Sequence, residues 1–382
     1  MEKVRVLVYS AYFPPAYLGG GALKSVAAIV SQAPDEFEVT VVTSDRDLGQ
    51  REAMPVVTNT PQRWNNATVY YGSSGLIFRL RALTFWRSRN PVIVYTNSFF
   101  DPVFSILPLI MWRIGLLQSQ YFVVAPRGEF GPGALNIKPT KKKLALPVLR
   151  LLLSSRRVVW HASSVHEAAN IRNRIGKSAQ VIISEDNTTL PLTASAPNQP
   201  GPELRAVVIG RIVPVKGIRE LLEALADVSQ PLVVDIYGPE EDRPYAQQCR
   251  SLAAQLPEQV VVNFKGAIPS QAVTSTLCTY DLMLLPTRGE NFSHVVAEAL
   301  SVSLPVMCAD VTPWSKYIAD GGGVLLSDSE VPTWTASIEK YAGMSAVSRK
   351  AKRNAAGKQY EIWRASAADK THVFDLILRP NS

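Results

Sequence analysis

The chain is short of cysteine, of histidine and of acid. Its three cysteines, Cys249, Cys278 and Cys308, lie far apart with no C-x-x-C pair, which excludes a disulfide framework or a cysteine zinc cluster as the organising device. Four scattered histidines give no metal-ligand spacing, so neither a metal nor another cofactor is expected. No apolar run reaches the roughly 20 residues that a bilayer span requires. The oiliest segment, Phe104 to Leu117, is interrupted by Pro108 and Arg113 and reads as a buried helix. Repeats of solenoid period and low-complexity tracts are missing too. The opening "MEKVRVLVYSAYFPP" has no small-residue cleavage site and is rich in β-branched residues, so it reads as a first strand and the expected location is cytoplasmic. Acids number 32 against 40 lysines and arginines, a net charge of +8. That excess favours an anionic partner: a phosphorylated small molecule, an acidic membrane or nucleic acid. The aromatics are not interleaved with basic residues as a base-stacking platform requires, so nucleic acid is not expected.

What the sequence does contain is alternation. Short β-rich runs alternate with helical patterns, which argues for an α/β fold with parallel sheets and crossover helices. The first half holds "VRVLVYSAY", "FEVTVVTSD", "PVIVYTNS", "QYFVVAPRG", "RVVWHASS" and "AQVIISED"; the second holds "LRAVVIGRI", "LVVDIYG", "VVVNFKG", "DLMLLPT", "LPVMCAD" and "GGVLLSD". Between them, Leu190 to Leu204 carries prolines and small polar residues and reads as a linker. The expectation is two Rossmann-like, doubly wound domains, residues 1–198 and 199–362, facing each other across a cleft. The helical pattern of residues 363–382 is expected to return to the first domain. Ligands of such sheets sit beyond the carboxyl ends of the strands.

Two strand-loop-helix segments in the second half place charge at such ends. In "VVIGRIVPVKGIRELLEALADV", Arg211 follows the strand and Lys216 precedes Gly217 at the helix start. Two cations beside a helix N-terminus make an anion site, with a diphosphate as the natural guest; solvated loop charges are the plainer reading. In "DLMLLPTRGENFSHVVAEAL", Ser293 reads as an N-cap, and Val295, Val296, Ala299 and Leu300 form the buried stripe. Glu298 points away from that stripe at about 100° per residue and is expected to face a ligand. Glu290 lies in the loop ahead of the helix. Ordinary surface acids are again the alternative.

These residues carry a resemblance. "ENFSHVVAE" resembles the E-x(7)-E motif of the retaining, nucleotide-sugar-dependent glycosyltransferases of GT-B fold, family 4, and "GRIVPVKG" resembles that family's donor loop. "DIYGP", "VNFKGAIPSQAV", "DLMLLPT" and "LPV" agree with it, so the likeness spans residues 203 to 327. "YFPPAYLGGGALKSVAAIV" and "FEVTVVTSD" match more loosely. "APRGEFGPGAL", "KKKLALPVL" and "HASSVHEAANI" resemble the members that build bacterial surface polysaccharide and lipopolysaccharide. The resemblance implies transfer of a sugar from a nucleotide-sugar to a glycan or lipid-linked acceptor, without a metal. By the same resemblance Arg211 and Lys216 hold the diphosphate, Glu290 the sugar hydroxyls and Glu298 the ribose. Backbone N–H groups of Asn291, Phe292 and Ser293 would face the donor. Gly20 and Gly21 would let the backbone approach the phosphates, although a glycine cluster is equally an ordinary turn. Acceptor-side residues are sought at Arg127, Glu129 and His161.

Some features depart from the family or compete with it. Ser303 stands where a glycine usually precedes the "PV" pair, and "ISEDNTT" where many members have P-N-G. The D-x-D at Asp45 to Asp47, a metal motif in the other glycosyltransferase fold, reads here as a solvated turn. "KKKLALPVLRLLLSSRRVV", with Lys141, Lys142, Lys143, Arg150, Arg156 and Arg157, reads either as a core helix with charged ends or as a dock for an anionic membrane at the inner face of the cytoplasmic membrane. "GGGA" lies too far past the first strand for a nicotinamide-binding turn. A non-catalytic nucleotide-sugar-binding regulator or scaffold would carry the same donor residues.

Overall fold

The computed structural model describes residues 3–73, 90–131 and 152–379. The chain forms two compact units, Met1–Thr189 with Thr371–Ser382, and Leu190–Lys370. Among the described residues of the first, eight strands form one sheet in the order β3-β4-β2-β1-β5-β6-β7-β8. They are β1 (Val4–Tyr9), β2 (Phe37–Ser44), β3 (Pro61–Trp64), β4 (Ala67–Gly72), β5 (Ile93–Thr96), β6 (Tyr121–Val124), β7 (Val158–Ala162) and β8 (Gln180–Ile183). All pairs are parallel except β3 with β4. Parallel strands covered on both faces read as near-continuous apolar runs, and alternate residues of β1 show it. Val6 and Val8 pack with Val26 and Val30 of α1 (Gly20–Ser31), while Leu7 and Tyr9 join Leu109 and Met111 of α2 (Leu107–Arg113) and Ile171 of α3 (Val165–Ile175) on the other face.

The second unit holds six parallel strands in the order β11-β10-β9-β12-β13-β14. These are β9 (Leu204–Ile209), β10 (Leu232–Tyr237), β11 (Val260–Gly266), β12 (Leu282–Leu284), β13 (Val306–Ala309) and β14 (Gly323–Leu326). One face is covered by α4 (Ile218–Leu225), α5 (Arg243–Ala253) and α8 (Val331–Ala342). The other is covered by α6 (Val273–Leu277), α7 (His294–Ser301) and α9 (Ala346–Ala368). The fold is the α/β architecture expected, two Rossmann-like units.

Four details differ from the expectation. The hairpin β3-β4 was not anticipated; its turn is Asn65-Asn66, with Asn65 in the left-handed region at φ 51°, a conformation asparagine tolerates. The oily segment is only partly buried. After a π-helical turn at Pro102–Ile106 it forms the short α2, with Leu109, Met111 and Leu117 inside but Ile110, Ile114 and Leu116 exposed. The division falls at 189/190 rather than 198/199, because the supposed linker is laid along the second unit. Ser195 N donates to Ser301 O, Ser303 Oγ to Ser195 O and Tyr360 Oη to Pro191 O. Finally, residues 363–370 stay with the second unit. Trp363 of α9 is buried against Phe292, Trp314 and Tyr360, a burial that contributes about 2–3 kcal/mol. The chain returns only at Thr371, through α10 (Val373–Leu378), whose Phe374 packs on Phe37 and Tyr95.

Candidate functional site

In the second unit the two predicted loops follow β9 and β12, which are neighbours in the sheet. Their backbones are tied together: Arg288 N and Thr287 Oγ1 both donate to Val215 O. Gly217, at φ 65°, has no room for a side chain, since a methyl group there would overlap the Pro286 carbonyl. This close approach sets Lys216 against Glu290. Lys216 Nζ donates to Glu290 Oε1 in a half-buried ion pair, with the side chains 21% and 13% exposed. Arg211 is directed elsewhere. Its Nη1 meets Glu241 Oε2 at 2.9 Å, both side chains substantially exposed. Glu241 follows β10 and was not singled out from the sequence, where "PEED" looks like any acidic loop. Its neighbours are otherwise engaged, Glu240 with Arg250 and Asp242 as N-cap of α5.

The loop ahead of α7 departs from the expectation at Ser293, α7 departs from it at Glu298, and the ring of Phe292 has a packing role that was not anticipated. Ser293 occupies the N-cap position, but in the left-handed region at φ 66°, and its hydroxyl caps nothing; that buried Oγ has no hydrogen-bond partner among the described residues. Phe292 is buried, its ring against His294, Trp314 and Trp363 and its carbonyl accepting from Trp314 Nε1 at 2.5 Å. It anchors the loop, and only its backbone is left for a ligand. Glu298 is 6% exposed on a helix buried round most of its circumference, not on an open face, because α6 and α9 as well as the sheet pack against α7. Trp314 is a second residue that sequence reasoning missed.

In the first unit the carboxyl ends of β5, β6, β7 and β8 are joined by a buried network around Arg127. Its Nη1 meets Asp186 Oδ1 at 2.6 Å, its Nε donates to Asn97 Oδ1 at 2.8 Å and its Nη2 to Tyr95 Oη at 2.7 Å. Asp186 Oδ2 accepts from Ser25 Oγ of α1 at 2.7 Å. His161 completes the chain: Nε2 donates to Ser184 O at 2.9 Å, so Nδ1 accepts from Tyr95 Oη at 2.7 Å. Burial, and then the Arg127 charge, push the imidazole down to about 4, so it is neutral at pH 7. Glu129 accepts from Ser98 Oγ and the N–H groups of Phe99 and Phe100. All three residues sought for the acceptor side are therefore engaged in holding these loops. The D-x-D is not a solvated turn either. Asp45 and Asp47 are buried, and Asp47 accepts from Tyr17 N and Leu18 N, clamping the chain just before the glycines. Gly20, at φ 65°, opens α1 and needs its conformational freedom. Lys141, Lys142, Lys143 and Arg150 lie outside the described residues; Arg156 and Arg157 are exposed. Among the described residues no group of three metal-ligating side chains occurs, and no helix is long and apolar enough to cross a membrane.

Residues 194–358 match the family model "Glycosyl transferases group 1". That match covers less than half of the chain, and over those residues the chain is similar to the glycosyl transferases of group 1. Over 136 residues it is 30% identical to TuaC of Bacillus subtilis, named as a teichuronic acid biosynthesis glycosyltransferase, an alignment spanning 36% of this chain and 32% of that protein. It is 29% identical over 180 residues to a D-inositol 3-phosphate glycosyltransferase of Jonesia denitrificans, covering 44% and 42%. These matches span less than half the length of the curated relatives. The fold extends over the whole chain. Sucrose-phosphate synthase from Thermosynechococcus elongatus superposes with a TM-score of 0.75 at 15% identity, covering 100% of both chains. Anabaena Alr3699/HepE, crystallised with UDP-glucose, superposes with 0.69 at 14%, covering 98% of each. The architecture is GT-B.

The matched residues include Arg211, Lys216, Glu290 and Glu298, whereas Gly20, Gly21, Arg127, Glu129 and His161 fall outside them. Within them lies Ser303, which stands where the resemblance led one to expect a glycine. It sits at φ 56°, a left-handed conformation uncommon for a non-glycine residue, and its hydroxyl donates to Ser195 O at 2.6 Å, a bond to a segment remote in sequence.

Proposed function

We propose that the protein is a retaining glycosyltransferase that moves a sugar from a nucleotide-sugar to a glycan or lipid-linked acceptor at an anionic membrane surface, in bacterial surface polysaccharide or lipopolysaccharide synthesis. The observation that carries this reading is the Lys216–Glu290 pair at the carboxyl ends of β9 and β12, held by loops whose main chains touch. Lys216 and Arg211 hold the diphosphate and neutralise the charge that develops as the nucleotide departs. Glu290 receives hydroxyls of the transferred sugar, Glu298 the ribose, and the N–H groups of Asn291 to Ser293 face the donor. Gly20 and Gly21 give a close backbone approach to phosphate. No protein nucleophile is assigned: the acceptor attacks from the face the leaving phosphate vacates, and that phosphate takes the acceptor's proton. Glu290 and Glu298 serve different ends of one donor rather than flanking a glycosidic bond as a hydrolase pair does. The binding of UDP-glucose by the Anabaena relative supports a nucleotide-sugar donor, and the TuaC likeness supports a surface-polymer acceptor.

Calorimetry with UDP, GDP, ADP and CMP on the EDTA-treated protein tests this. One nucleoside diphosphate should bind, and Lys216→Ala should weaken it by about tenfold or more, as expected when a charge-assisted contact is lost. Glu290→Ala should retain that binding yet abolish transfer. A folded protein that binds none of the four, with or without manganese, would remove the donor assignment.

A further inference from the structure

The chain's charge is unevenly placed. Between Glu52 and Glu167 it has fourteen lysines and arginines and only two acids, Asp101 and Glu129, while the rest is slightly acidic. Both acids are committed to the backbone: Asp101 accepts from Val103 N and Phe104 N, and Glu129 from Phe99 N and Phe100 N. Of the fourteen, nine lie outside the described residues and Arg127 is buried against Asp186, whereas Arg113, Arg156 and Arg157 are exposed. Within this stretch α2 and the turn that follows it leave aliphatic side chains uncovered, Ile110 at 40%, Ile114 at 64% and Leu116 at 43% exposure. Three such residues within seven positions form a patch rather than the isolated exposure common on surfaces. Beside them is an open bay of about 690 Å³ at the amino ends of β5, β6 and β7, lined by Asn90, Trp112, Arg113, Ser119 and Arg157 among others, with no acid in its lining. Arg113 lies over the Trp112 ring, 5.7 Å from its centroid.

We infer that this amino-edge face of the first unit, Ile110, Ile114 and Leu116 with Arg113 and Arg157, docks on the surface of an acidic lipid bilayer. Aliphatic side chains rimmed by arginines suit the boundary between headgroups and acyl chains, where the first enter the apolar layer and the second meet lipid phosphates. Nucleic acid fits less well. It would need exposed aromatics to stack bases, and Trp112 is half-buried beneath Arg113. The face lies at the opposite ends of the strands from the Arg127 network, about 13–17 Å away along four or five residues of strand. Docking therefore leaves the ligand-binding edge of the sheet open, and the acceptor sugar must stand off the bilayer. The inference rests on the membrane contact proposed above and not on transfer, because lipid binding is measured without donor or acceptor.

The test is co-sedimentation with vesicles of phosphatidylcholine alone or mixed with phosphatidylglycerol, across a salt series. The whole chain should bind the acidic vesicles, and salt should weaken the binding. Arg113→Gln with Arg157→Gln should lower affinity by about fivefold per arginine and flatten the salt dependence. Ile114→Ser with Leu116→Ser should also release the protein, at unchanged charge. All four positions are exposed, so circular dichroism should show these variants folded. Equal binding to neutral and acidic vesicles would overturn the inference, as would wild-type binding by the Ile114/Leu116 variant. Duplex DNA bound as tightly as acidic vesicles, with no effect of that variant, would reassign the face to a polyanion.

Discussion

Arg211 and Lys216 stand five residues apart on one loop, yet their acidic partners hold them differently. The Lys216–Glu290 pair is shielded by two loops in main-chain contact, whereas Arg211 and Glu241 meet in solvent, where such pairs contribute about 0–1 kcal/mol. The Glu241 loop is nonetheless fixed in place. Ile212 N donates to Pro239 O at 3.0 Å, and a side chain at Gly238 would strike the Gly210 carbonyl. On the proposed donor site, Glu241 is thus a built-in counter-ion that an entering diphosphate would displace from Arg211, while Lys216 would stay paired. Glu241→Gln should tighten nucleoside diphosphate binding about two- to fivefold, the equivalent of one exposed ion pair, lowering KM with little change in kcat. Weaker binding in calorimetry would show that Glu241 orients Arg211 instead. In Lys216→Ala the Glu241→Gln gain should persist, since the two cations have separate acids.

At the scale of elements, the β9–α4 turn is the joint that makes the site. Gly217 needs both a left-handed backbone and the absence of a side chain against Pro286. Gly217→Ala should therefore destabilise the second unit by about 2–4 kcal/mol, strain and overpacking together, and loosen Lys216 from Glu290; a urea midpoint equal to wild type would refute this. This turn was legible in the sequence because a β-branched run, a cation and a glycine fall in order along a few residues. The same held for twelve of the thirteen strands with a parallel neighbour, all but β4, whose apolar runs signal burial in a sheet covered by helices. What was not legible depends on partners remote in sequence. Glu129 is occupied because the amides of Phe99 and Phe100 arrive from the β5 loop, and Asp47 is buried because Tyr17 and Leu18 fold over it. The ring of Phe292 is buried because Trp314 and Trp363 pack on it, a role that the reading of its backbone N–H left open. The α2 segment looked like a buried helix because composition alone does not say which side of so short a helix is covered.

At the scale of the whole molecule, the first unit is closed by groups that must remain uncharged. His161 holds Tyr95 and Ser184 in its neutral form, and its Nδ1 faces a hydroxyl already engaged by Arg127. His372 caps α10 through Nδ1 and donates from Nε2 to Ile29 O, fixing the returning chain to α1; burial lowers its pKa too. For a histidine whose folded pKa is depressed, the unfolded chain binds the proton first. Its contribution is therefore complete above the unfolded value and is lost as pH falls from there towards the folded one. For His161 the window runs from 6.5 down to about 4, which corresponds to about 3 kcal/mol at its lower end. Hydrogen exchange, corrected for intrinsic rates, should show protection in peptides covering β5, β7 and α10 falling across this range. His161→Gln, less stable at neutral pH, should show a shallower fall, the remainder coming from His372. An unchanged slope in that variant would mean that another group controls the acid sensitivity of this unit. Because the strap that ends in α10 starts from α9 of the other unit, its release in acid would free one of the two chain segments that join the halves of the molecule.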